Sequence, residues 1–321
     1  MKKTEGKKVV LITEVKSESL EKKLDEILRK VGFKAKGKVL VKPNMCMPGY
    51  VPGAVTSPKV IYYIVRLLRK TSEEVIVGES DGYNYSCDLA FEKTGIKDAA
   101  EKAGGKTINL SRDKLVQVSF KDKEFKIKRL FLPKTLFEVD SVVNVPIMKT
   151  HEFTVYSGAL KNLFGLIPDR KRIFLHPHLN EVLFTLYELT KPMTVMDALT
   201  AMEKNGPTRG TPVEMNLVLA SKCPLALDVV ATEIMGLDWE KISHLSYIAQ
   251  KTKFDRQNVK VVGDSARYSR KFATPVVDLP VEMQLKIYQH ALLTKMFFSN
   301  PNFVKILQKF VSLYRSLRGS T

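Results

Sequence analysis

The chain has 321 residues, of which 44% are hydrophobic and 27% charged, so it is long and apolar enough for an α/β core of one large or two ordinary domains. Its net charge of +18 predicts attraction to anions, but nucleic acid is not favoured because no zinc-finger spacing or RNA-binding aromatic strand accompanies that charge. The sequence lacks a signal-peptide pattern and paired cysteines, so we expect a reducing, cytoplasmic location and no iron–sulfur cysteine motif in this chain.

Strand-like and helix-like segments alternate through the first half of the chain. Apolar runs predict strands at 8–13, 39–44 and 74–80, and helical spacing predicts helices at 19–32, 57–70 and about 88–103. Ser57 is placed to cap the second helix, with Pro58 in its first turn. Segments 115–120 and 124–130 flank a polar turn at 121–123, which is typical of a β-hairpin.

The alternation continues through the second half. We expect strands at 142–148, 193–199 and 259–263, and helices near 179–190, 224–235 and 240–252. This order predicts an α/β fold with a mostly parallel sheet and helices on both faces, plus the small hairpin and a C-terminal helical extension. We place the α/β domain at 1–280 and the extension at 281–321.

Polar residues follow several of the predicted strands. They are Lys42 and Asn44, then Glu79, Ser80 and Asp81, then Lys149, Thr150 and His151, and finally Asp197. The carboxyl ends of parallel strands share one edge of a sheet, where ligands bind. A single lysine at such an end is usually only solvated, but four strands that end in the same way predict a site.

The predicted site has the chemistry of an anion receptor. Lys42, Lys149, Lys161 and His151 would make it electropositive, and Asn44 and Asn162 could donate amide hydrogen bonds to a phosphate or carboxylate. A loop rich in turn-forming residues follows the strand at 193–199. Its backbone amides and its arginine could face the same anion. The loop residues are Asn205, Gly206 and Arg209.

Acid–base chemistry is the reaction type that these residues favour. Crowded cations lower one another's pKa, so Lys149 and His151 are predicted as the catalytic pair. The remaining predicted substrate-binding residues are Asp81, Thr150, His176 and Asp197. A covalent route through Cys46 or Cys87 stays open. So does a divalent metal held by His151, His176 and His178 with Asp197 or Asp81.

Five segments in this order carry a resemblance to a known family: VLVKPN, SVVNVPIMKTH, GALKNLFGLIP, TVMDALTAMEKNGPTRGTP and LALDVVATEIMGL. Together they resemble the family called domain of unknown function 362, over roughly residues 8–265. Members are often joined to a ferredoxin-like module, which implies redox chemistry for some of them and makes a ferredoxin-like protein a candidate partner. This chain departs from the family at Cys223, where the pattern suggests an aspartate before the proline.

The C-terminal segment 285–321 is basic and amphipathic. It has six lysines and arginines, no acidic residue and a broad apolar face, and Asn300-Pro301 divides it into two helices. Such helices pack back onto their own domain, lie on an anionic membrane surface or form a homo-oligomer contact.

Three functions therefore stand at this point. The first is an enzyme acting on a small anionic metabolite, with its site at the strand ends. The second is a redox accessory protein with a separate iron–sulfur partner. The third is a non-enzymatic binder of nucleic acid or membrane through the basic surface.

Overall fold

The structure is a computed structural model that describes residues 7–15, 20–83, 85–120 and 125–299, and beyond them 304, 306, 309–311, 313, 314 and 316. Its strands are β1 (Lys8–Glu14), β2 (Lys38–Pro43), β3 (Glu74–Glu79), β4 (Lys106–Asn109), β5 (Leu115–Ser119), β6 (Arg129–Pro133), β7 (Ser141–Val145), β8 (Ile147–His151), β9 (Val155–Ser157), β10 (Met193–Glu203), β11 (Thr211–Ser221) and β12 (Val259–Val262). Its α-helices are α1 (Leu20–Lys30), α2 (Pro58–Leu68), α3 (Cys87–Thr94), α4 (Ile96–Lys102), α5 (Thr135–Glu138), α6 (Ala159–Asn162), α7 (Leu179–Thr190), α8 (Pro224–Ile234), α9 (Ser243–Thr252), α10 (Leu279–Tyr288) and α11 (Ala291–Phe298).

The large sheet has the strand order β12-β1-β11-β10-β7-β2-β3-β4, and β8 and β9 extend from β10 as a side branch. From β10 to β4, every neighbouring pair is parallel. Strand β11 is antiparallel to both of its neighbours, β10 and β1. The predicted α/β fold with a mostly parallel sheet is confirmed.

Two apolar cores cover the two faces of this sheet. In β2, Val39 and Val41 face the core that contains α1 to α4, whereas Leu40 faces the core that contains α7 to α9. Successive side chains of a strand point to opposite faces, so a strand buried on both faces reads as a continuous apolar run. The apolar runs of β1, β2 and β3 are therefore easy to recognise, and the predicted bounds of these strands lie close to the observed ones. The bounds of α7 were also predicted closely.

The predicted strand at 142–148 is wrong in its extent. It is two strands, β7 and β8, interrupted at Pro146, whose nitrogen cannot donate a hydrogen bond to a neighbouring strand. Strand β8 continues to His151 and pairs with β9. Lys149, Thr150 and His151 therefore lie within a strand and not after its end.

Three strands were not predicted, namely β4, β9 and β11. Strand β10 continues to Glu203 instead of stopping at residue 199, and β11 returns beside it. The outer half of β11 alternates between exposed and buried positions, and its polar residues, such as Glu214 and Asn216, hid it from a search for apolar runs. The glycine- and proline-rich loop at 204–210 is the turn of this hairpin.

Two smaller predictions also need correction. The helix expected at 88–103 is two helices, α3 and α4, because Gly95 adopts a left-handed conformation with φ 76°. The β5–β6 hairpin is confirmed, but its second strand is Arg129–Pro133 and pairs Leu115 with Pro133. The turn predicted at 121–123 lies outside the described residues.

The C-terminal helices α10 and α11 pack onto the 3₁₀ segment Arg170–His178. Tyr288, Phe298 and Val304 form a small apolar cluster with Ile173. The first helix begins at Leu279, and the break predicted at Asn300-Pro301 lies outside the described residues. Within the described part of the chain, we find no helix with the length and apolar character needed to cross a bilayer.

Candidate functional site

A cavity of about 100 Å³, here called the small cavity, lies at the carboxyl ends of β2 and β3, beside β8 and α6. Its volume equals that of about three liquid water molecules, so it suits one phosphate or carboxylate group. It is lined by Asn44, Met45, Cys46, Glu79, Lys149, His151, Ser157, Lys161, Asn162, Phe164, Gly165, Arg172 and Pro207.

Five residues that the sequence predicted for one site do line this cavity. They are Asn44, Lys149, His151, Lys161 and Asn162. They come from the end of β2, from β8 and from α6, which are far apart in sequence. The geometry brings these residues together, and their roles stay predictions.

Lys149 is held from three sides inside the wall of the cavity. Its Nζ donates to the carbonyl oxygens of Ala54 at 2.8 Å and Pro207 at 3.4 Å, and to Cys46 Sγ at 3.3 Å. Burial lowers its pKa, opposed by the neighbouring thiol of Cys46. An ammonium has three N–H groups, so these contacts fix Lys149 as a positive charge in the wall.

Lys161 is held differently. No hydrogen bond or ion pair to its Nζ occurs among the described residues, and its neighbour is the ring of Phe164, with the centroid 5.1 Å away. Burial, then the charges of Arg172 and Lys149, lowers the pKa of Lys161 to about 8. Lys161 is thus a cation with no counterion among the described residues, and its pKa of about 8 lies close to neutral pH.

Arg172 is a cavity residue that the sequence did not reveal. It lies in the 3₁₀ segment Arg170–His178, where its Nη1 donates to Ile167 O at 3.2 Å and its guanidinium lies 6.0 Å from the Phe164 ring centre. The one available signal was its position in a basic run shortly after the KNLFG motif. Arg172 adds a third positive charge, after Lys149 and Lys161, to the lining of the cavity.

His151 is buried and uncharged near neutral pH. Burial, then Lys161 and Lys149, lowers its pKa well below the usual histidine range. The backbone N–H of Phe153 donates to His151 Nδ1 at 3.1 Å, so the ring proton lies on Nε2. A neutral imidazole with a proton on Nε2 is a hydrogen-bond donor for a ligand oxygen.

Lys42, predicted to bind substrate, is instead fully buried behind the cavity wall. Its Nζ lies 2.9 Å from Glu79 Oε2 and donates to Pro43 O at 2.9 Å. Burial raises the pKa of Glu79, opposed by Lys42 and Arg172, and burial lowers the pKa of Lys42, opposed by Glu79. A Cβ at Gly165 would lie 2.7 Å from Lys42 Nζ, so only glycine leaves room for this ion pair.

Asp228 sets the position of α6, which carries Lys161 and Asn162. Its carboxylate accepts hydrogen bonds from the backbone of Ala159 at 2.6 Å and Leu160 at 2.8 Å, and from Tyr156 Oη at 2.8 Å. It is fully buried, and burial raises its pKa to about 7. Asp228 lies in the family segment LALDVVATEIMGL, but an aspartate inside an apolar helix gives no local sign of its partner.

The predicted amide donors are used within the protein. Asn162 Nδ2 donates to Asn144 Oδ1 at 2.8 Å, and Asn44 Nδ2 donates to Ala54 O. They shape the cavity wall and do not offer those N–H groups to a ligand.

Three further predicted residues lie away from the small cavity. Asp197 accepts hydrogen bonds from the backbone of Ser57 at 2.9 Å and Leu199 at 3.1 Å, so it anchors the residue that precedes α2, and the predicted cap by the Ser57 side chain does not form. Burial raises its pKa to about 6. Asp81 binds the backbone of Cys87, and Thr150 donates to Lys204 O at 2.7 Å.

The turn of the β10–β11 hairpin contributes its backbone. Pro207 O accepts from Lys149, whereas Arg209 forms an ion pair with Glu152 and Asn205 accepts from the backbone of Val276. A Cβ at Gly206 would collide with Thr150 O, so glycine allows the turn to approach β8. Asn205 and Arg209 do not line the small cavity.

His176 lines a second, larger cavity of about 350 Å³, here called the large cavity. Its lining includes Phe153, His176, His178, His244, Leu285 and Tyr288. His176 Nδ1 donates to Ile173 O at 2.9 Å, and its ring stacks on Tyr288 with 4.6 Å between centroids. Burial, then the charge of Lys161, lowers the pKa of His176 to about 3.

The structure bears differently on the metal site and on the covalent route through Cys46 or Cys87. The described residues contain no group of three or more histidine, cysteine, aspartate or glutamate side chains able to hold a metal ion. Cys87 is buried in the core, and burial raises the pKa of its thiol. Cys46 lines the small cavity beside Lys149, whereas Cys223 lies at the start of α8, away from it.

The family described as domain of unknown function, DUF362, has a model that matches residues 39–233, which is more than half of the chain. The chain belongs to the DUF362 family. The match includes every residue that lines the small cavity and ends before α10 and α11. Both the small cavity and its supporting Asp228 are therefore part of the DUF362 region.

Two other comparisons place this DUF362 protein beside characterised chains. A protein described as thylakoid-associated, from Synechocystis sp., is 26% identical over 211 residues, covering 63% of this chain and 64% of that protein. The solved structure of the lactate racemase apoprotein from Thermoanaerobacterium thermosaccharolyticum has 13% identity and a TM-score of 0.47, over 73% of this chain and 58% of that chain. This chain spans less than two thirds of the length of either protein.

Proposed function

We propose that this DUF362 protein is an enzyme that acts on a small metabolite bearing a phosphate or carboxylate, with that anionic group bound in the small cavity. The observation that carries the proposal is Lys161, whose ammonium lines the cavity with no counterion in the described part of the chain. A partly buried cation is stabilised by an anion, and Lys149 and Arg172 add positive charge to the same space. Glu79 is the one carboxylate in the lining, and its charge is balanced by Lys42.

Proton transfer is the reaction class that the contacts favour. With a pKa of about 8, Lys161 exists as both amine and ammonium near neutral pH, which suits a general base or acid. As a base, its neutral amine takes a proton from the substrate and becomes an ammonium ion. The Nε2–H of His151 then donates a hydrogen bond to the oxygen on which negative charge develops.

This assignment differs from the catalytic pair that the sequence predicts. Lys149 has its N–H groups engaged by Cys46, Ala54 and Pro207, so it contributes charge and holds the wall. Lys161 takes the proton-transfer role, while His151 remains in the site as a neutral donor. Cys46 offers a second chemistry, because its thiol lies in the same cavity next to the Lys149 ammonium.

A metabolite screen tests the proposal. Thermal stabilisation by a library of phosphorylated and carboxylated metabolites is measured for the wild type, for Lys161→Met and for Lys251→Met. Lys251 is the matched control, since its Nζ also lies over an aromatic ring, 5.6 Å from the centroid of Phe125, but outside the small cavity. We expect ligands that stabilise the wild type and the control but not Lys161→Met. Equal stabilisation of all three proteins would contradict the proposal.

The two other functions keep the support that they had from the sequence. A redox accessory role with a ferredoxin-like partner rests on the family resemblance, and nucleic-acid binding rests on the net charge. The cytoplasmic location also stays a prediction.

A further inference from the structure

A residue that lines the large cavity has a buried polar atom for which the described residues supply no hydrogen-bond partner. His244 on α9 is 1% exposed and lines this cavity, and no hydrogen-bond partner for its Nε2 is present in the described structure. Burial of a polar atom is unfavourable unless that atom is hydrogen-bonded. A ligand atom that reached His244 Nε2 from the large cavity would supply the missing partner.

Rings that line the small cavity contact rings that line the large one. His151 of the small cavity lies 5.7 Å from Phe153 of the large one, centroid to centroid, and Phe164 lies 5.2 Å from His176 in the same way. Burial, then the charge of Lys161, lowers the pKa of both His176 and His244. One molecule could therefore occupy both.

We propose that the large cavity binds the organic body of the molecule whose anionic group occupies the small cavity, an inference that rests on the proposed function. The rings of Phe153, Tyr247 and Tyr288 favour a flat, ring-bearing body, and His244 Nε2 favours a polar substituent on it. The substrate class is then a phosphorylated or carboxylated aromatic or heterocyclic compound. Leu285 and Tyr288 of α10 close the cavity from the C-terminal side.

Two phosphate probes separate this inference from the proposed function. Inorganic phosphate fills the small cavity alone, and 2-phenylethyl phosphate adds a ring on a spacer that can pass His151 and Phe164. In protein with ¹⁵N-labelled histidines, we expect inorganic phosphate to shift the resonance of His151, and the ester to shift those of His176 and His244 as well. We also expect the ester to bind at least tenfold more tightly, and this gain to be lost in Leu285→Trp, which fills the large cavity from α10.

Each result has one meaning. If inorganic phosphate binds but the ester binds no more tightly and leaves His244 unshifted, the inference is overturned and the proposed function stands. If neither compound binds, the proposed function fails first. If Leu285→Trp binds the ester as tightly as the wild type does, the ring lies elsewhere and the inference is overturned.

A second inference rests on the outer face of the C-terminal helices. More than half of the exposed large hydrophobic residues in the described structure lie within residues 276–313. Seven of them, all after Val277, fall at helical spacing and are exposed, whereas Tyr288, Phe298 and Val304 are buried in the packed cluster. We call them the outer apolar face, and they are Leu279, Met283, Leu292, Met296, Ile306, Phe310 and Leu313.

The positive charge of the segment that carries the outer apolar face indicates what this face binds. From Leu279 to the last residue the sequence has six lysines and arginines and one acid, Glu282, which pairs with Lys286. A second copy of this chain would bring the same positive charge against itself, whereas an anionic bilayer offers both the opposite charge and an apolar layer. We propose that the outer apolar face lies in the surface of an anionic membrane.

Vesicle sedimentation tests this second inference with the full chain. Vesicles rich in phosphatidylglycerol are compared with vesicles of phosphatidylcholine, for the wild type and for Leu292→Asp/Met296→Asp. The control is Leu115→Asp/Phe131→Asp, which places two acids at exposed apolar residues of the β5–β6 hairpin. We expect the wild type and the control to bind the anionic vesicles, with binding weakened by salt, and the first double variant to bind at least tenfold less.

Two outcomes would overturn it. The first is equal binding of the wild type and Leu292→Asp/Met296→Asp to the anionic vesicles, or no binding by either. The second is a stable wild-type dimer in sedimentation velocity that this double variant abolishes, which would make the outer apolar face a contact between copies.

Discussion

The buried ion pair between Lys42 and Glu79 makes a strong prediction about stability. Their side chains are 0% and 5% exposed, and 2.9 Å separates Lys42 Nζ from Glu79 Oε2. Lys42→Met would leave the Glu79 carboxylate buried, with the backbone N–H of Ser80 as its remaining hydrogen bond. Removal of one partner from such a pair lowers the free energy of unfolding by about 3–5 kcal/mol.

Removing both charges should recover most of that loss. Lys42→Met/Glu79→Gln leaves no buried charge, so we expect its free energy of unfolding to lie within about 1–2 kcal/mol of the wild type. The coupling energy of the double-mutant cycle should then exceed about 2 kcal/mol. Urea denaturation followed by the fluorescence of Trp239, the single tryptophan, measures each variant.

An exposed ion pair provides the control. Lys286 Nζ on α10 also lies 2.9 Å from its partner, Glu282 Oε1, but these side chains are 70% and 53% exposed. Lys286→Met should cost less than about 1 kcal/mol, because solvent screens surface pairs. The reasoning would be refuted if Lys42→Met cost no more than Lys286→Met, or if the effects of the two buried substitutions simply added.

Four further predictions concern the small cavity. Asp228→Asn should lower the free energy of unfolding by about 1–3 kcal/mol and weaken phosphate binding, because the new amide opposes a backbone N–H of α6; urea denaturation and calorimetry would show neither change if Asp228 had no positioning role. Sulfate affinity should fall about tenfold between pH 7 and pH 9, because the Lys161 ammonium, with a pKa of about 8, is present below that pH and lost above it; a flat calorimetric profile would exclude Lys161. Gly165→Ala should destabilise the fold by displacing the Lys42–Glu79 pair, and a melting temperature equal to that of the wild type would argue against that crowding. Iodoacetamide should label Cys46 faster than Cys87, and phosphate should slow the labelling of Cys46; mass spectrometry that finds Cys87 labelled first would contradict the placement of both thiols.

Much of the fold could be predicted because buried strands and helices have recognisable patterns of apolar residues in the sequence. Strand β2 and helix α7 show continuous apolar runs or helical spacing that match their burial. Strand β11 was missed because half of it carries polar residues on an exposed hairpin, where burial no longer sets the pattern.

The site was predicted less completely, for a physical reason. Lys149 and His151 are predicted to follow a strand, because charged residues are rare within a buried strand. Strand β8 can contain them because their side chains enter a cavity. Asp197 follows an apolar run, as a site residue would, but sequence position does not show that its carboxylate binds the backbone of Ser57. Arg172 reaches the cavity from an irregular 3₁₀ segment, which has no periodic signal.

The central claim is that one anion binds in the small cavity beside Lys161, where Lys149 and Arg172 add positive charge. Crystals of the full chain soaked in selenate test it most directly, through the anomalous signal of selenium. We predict the strongest anomalous peak inside the small cavity, within hydrogen-bond distance of Lys161 Nζ, and no such peak in Lys161→Met. Peaks confined to surface lysines, with no selenium in the cavity of the wild type, would contradict the account.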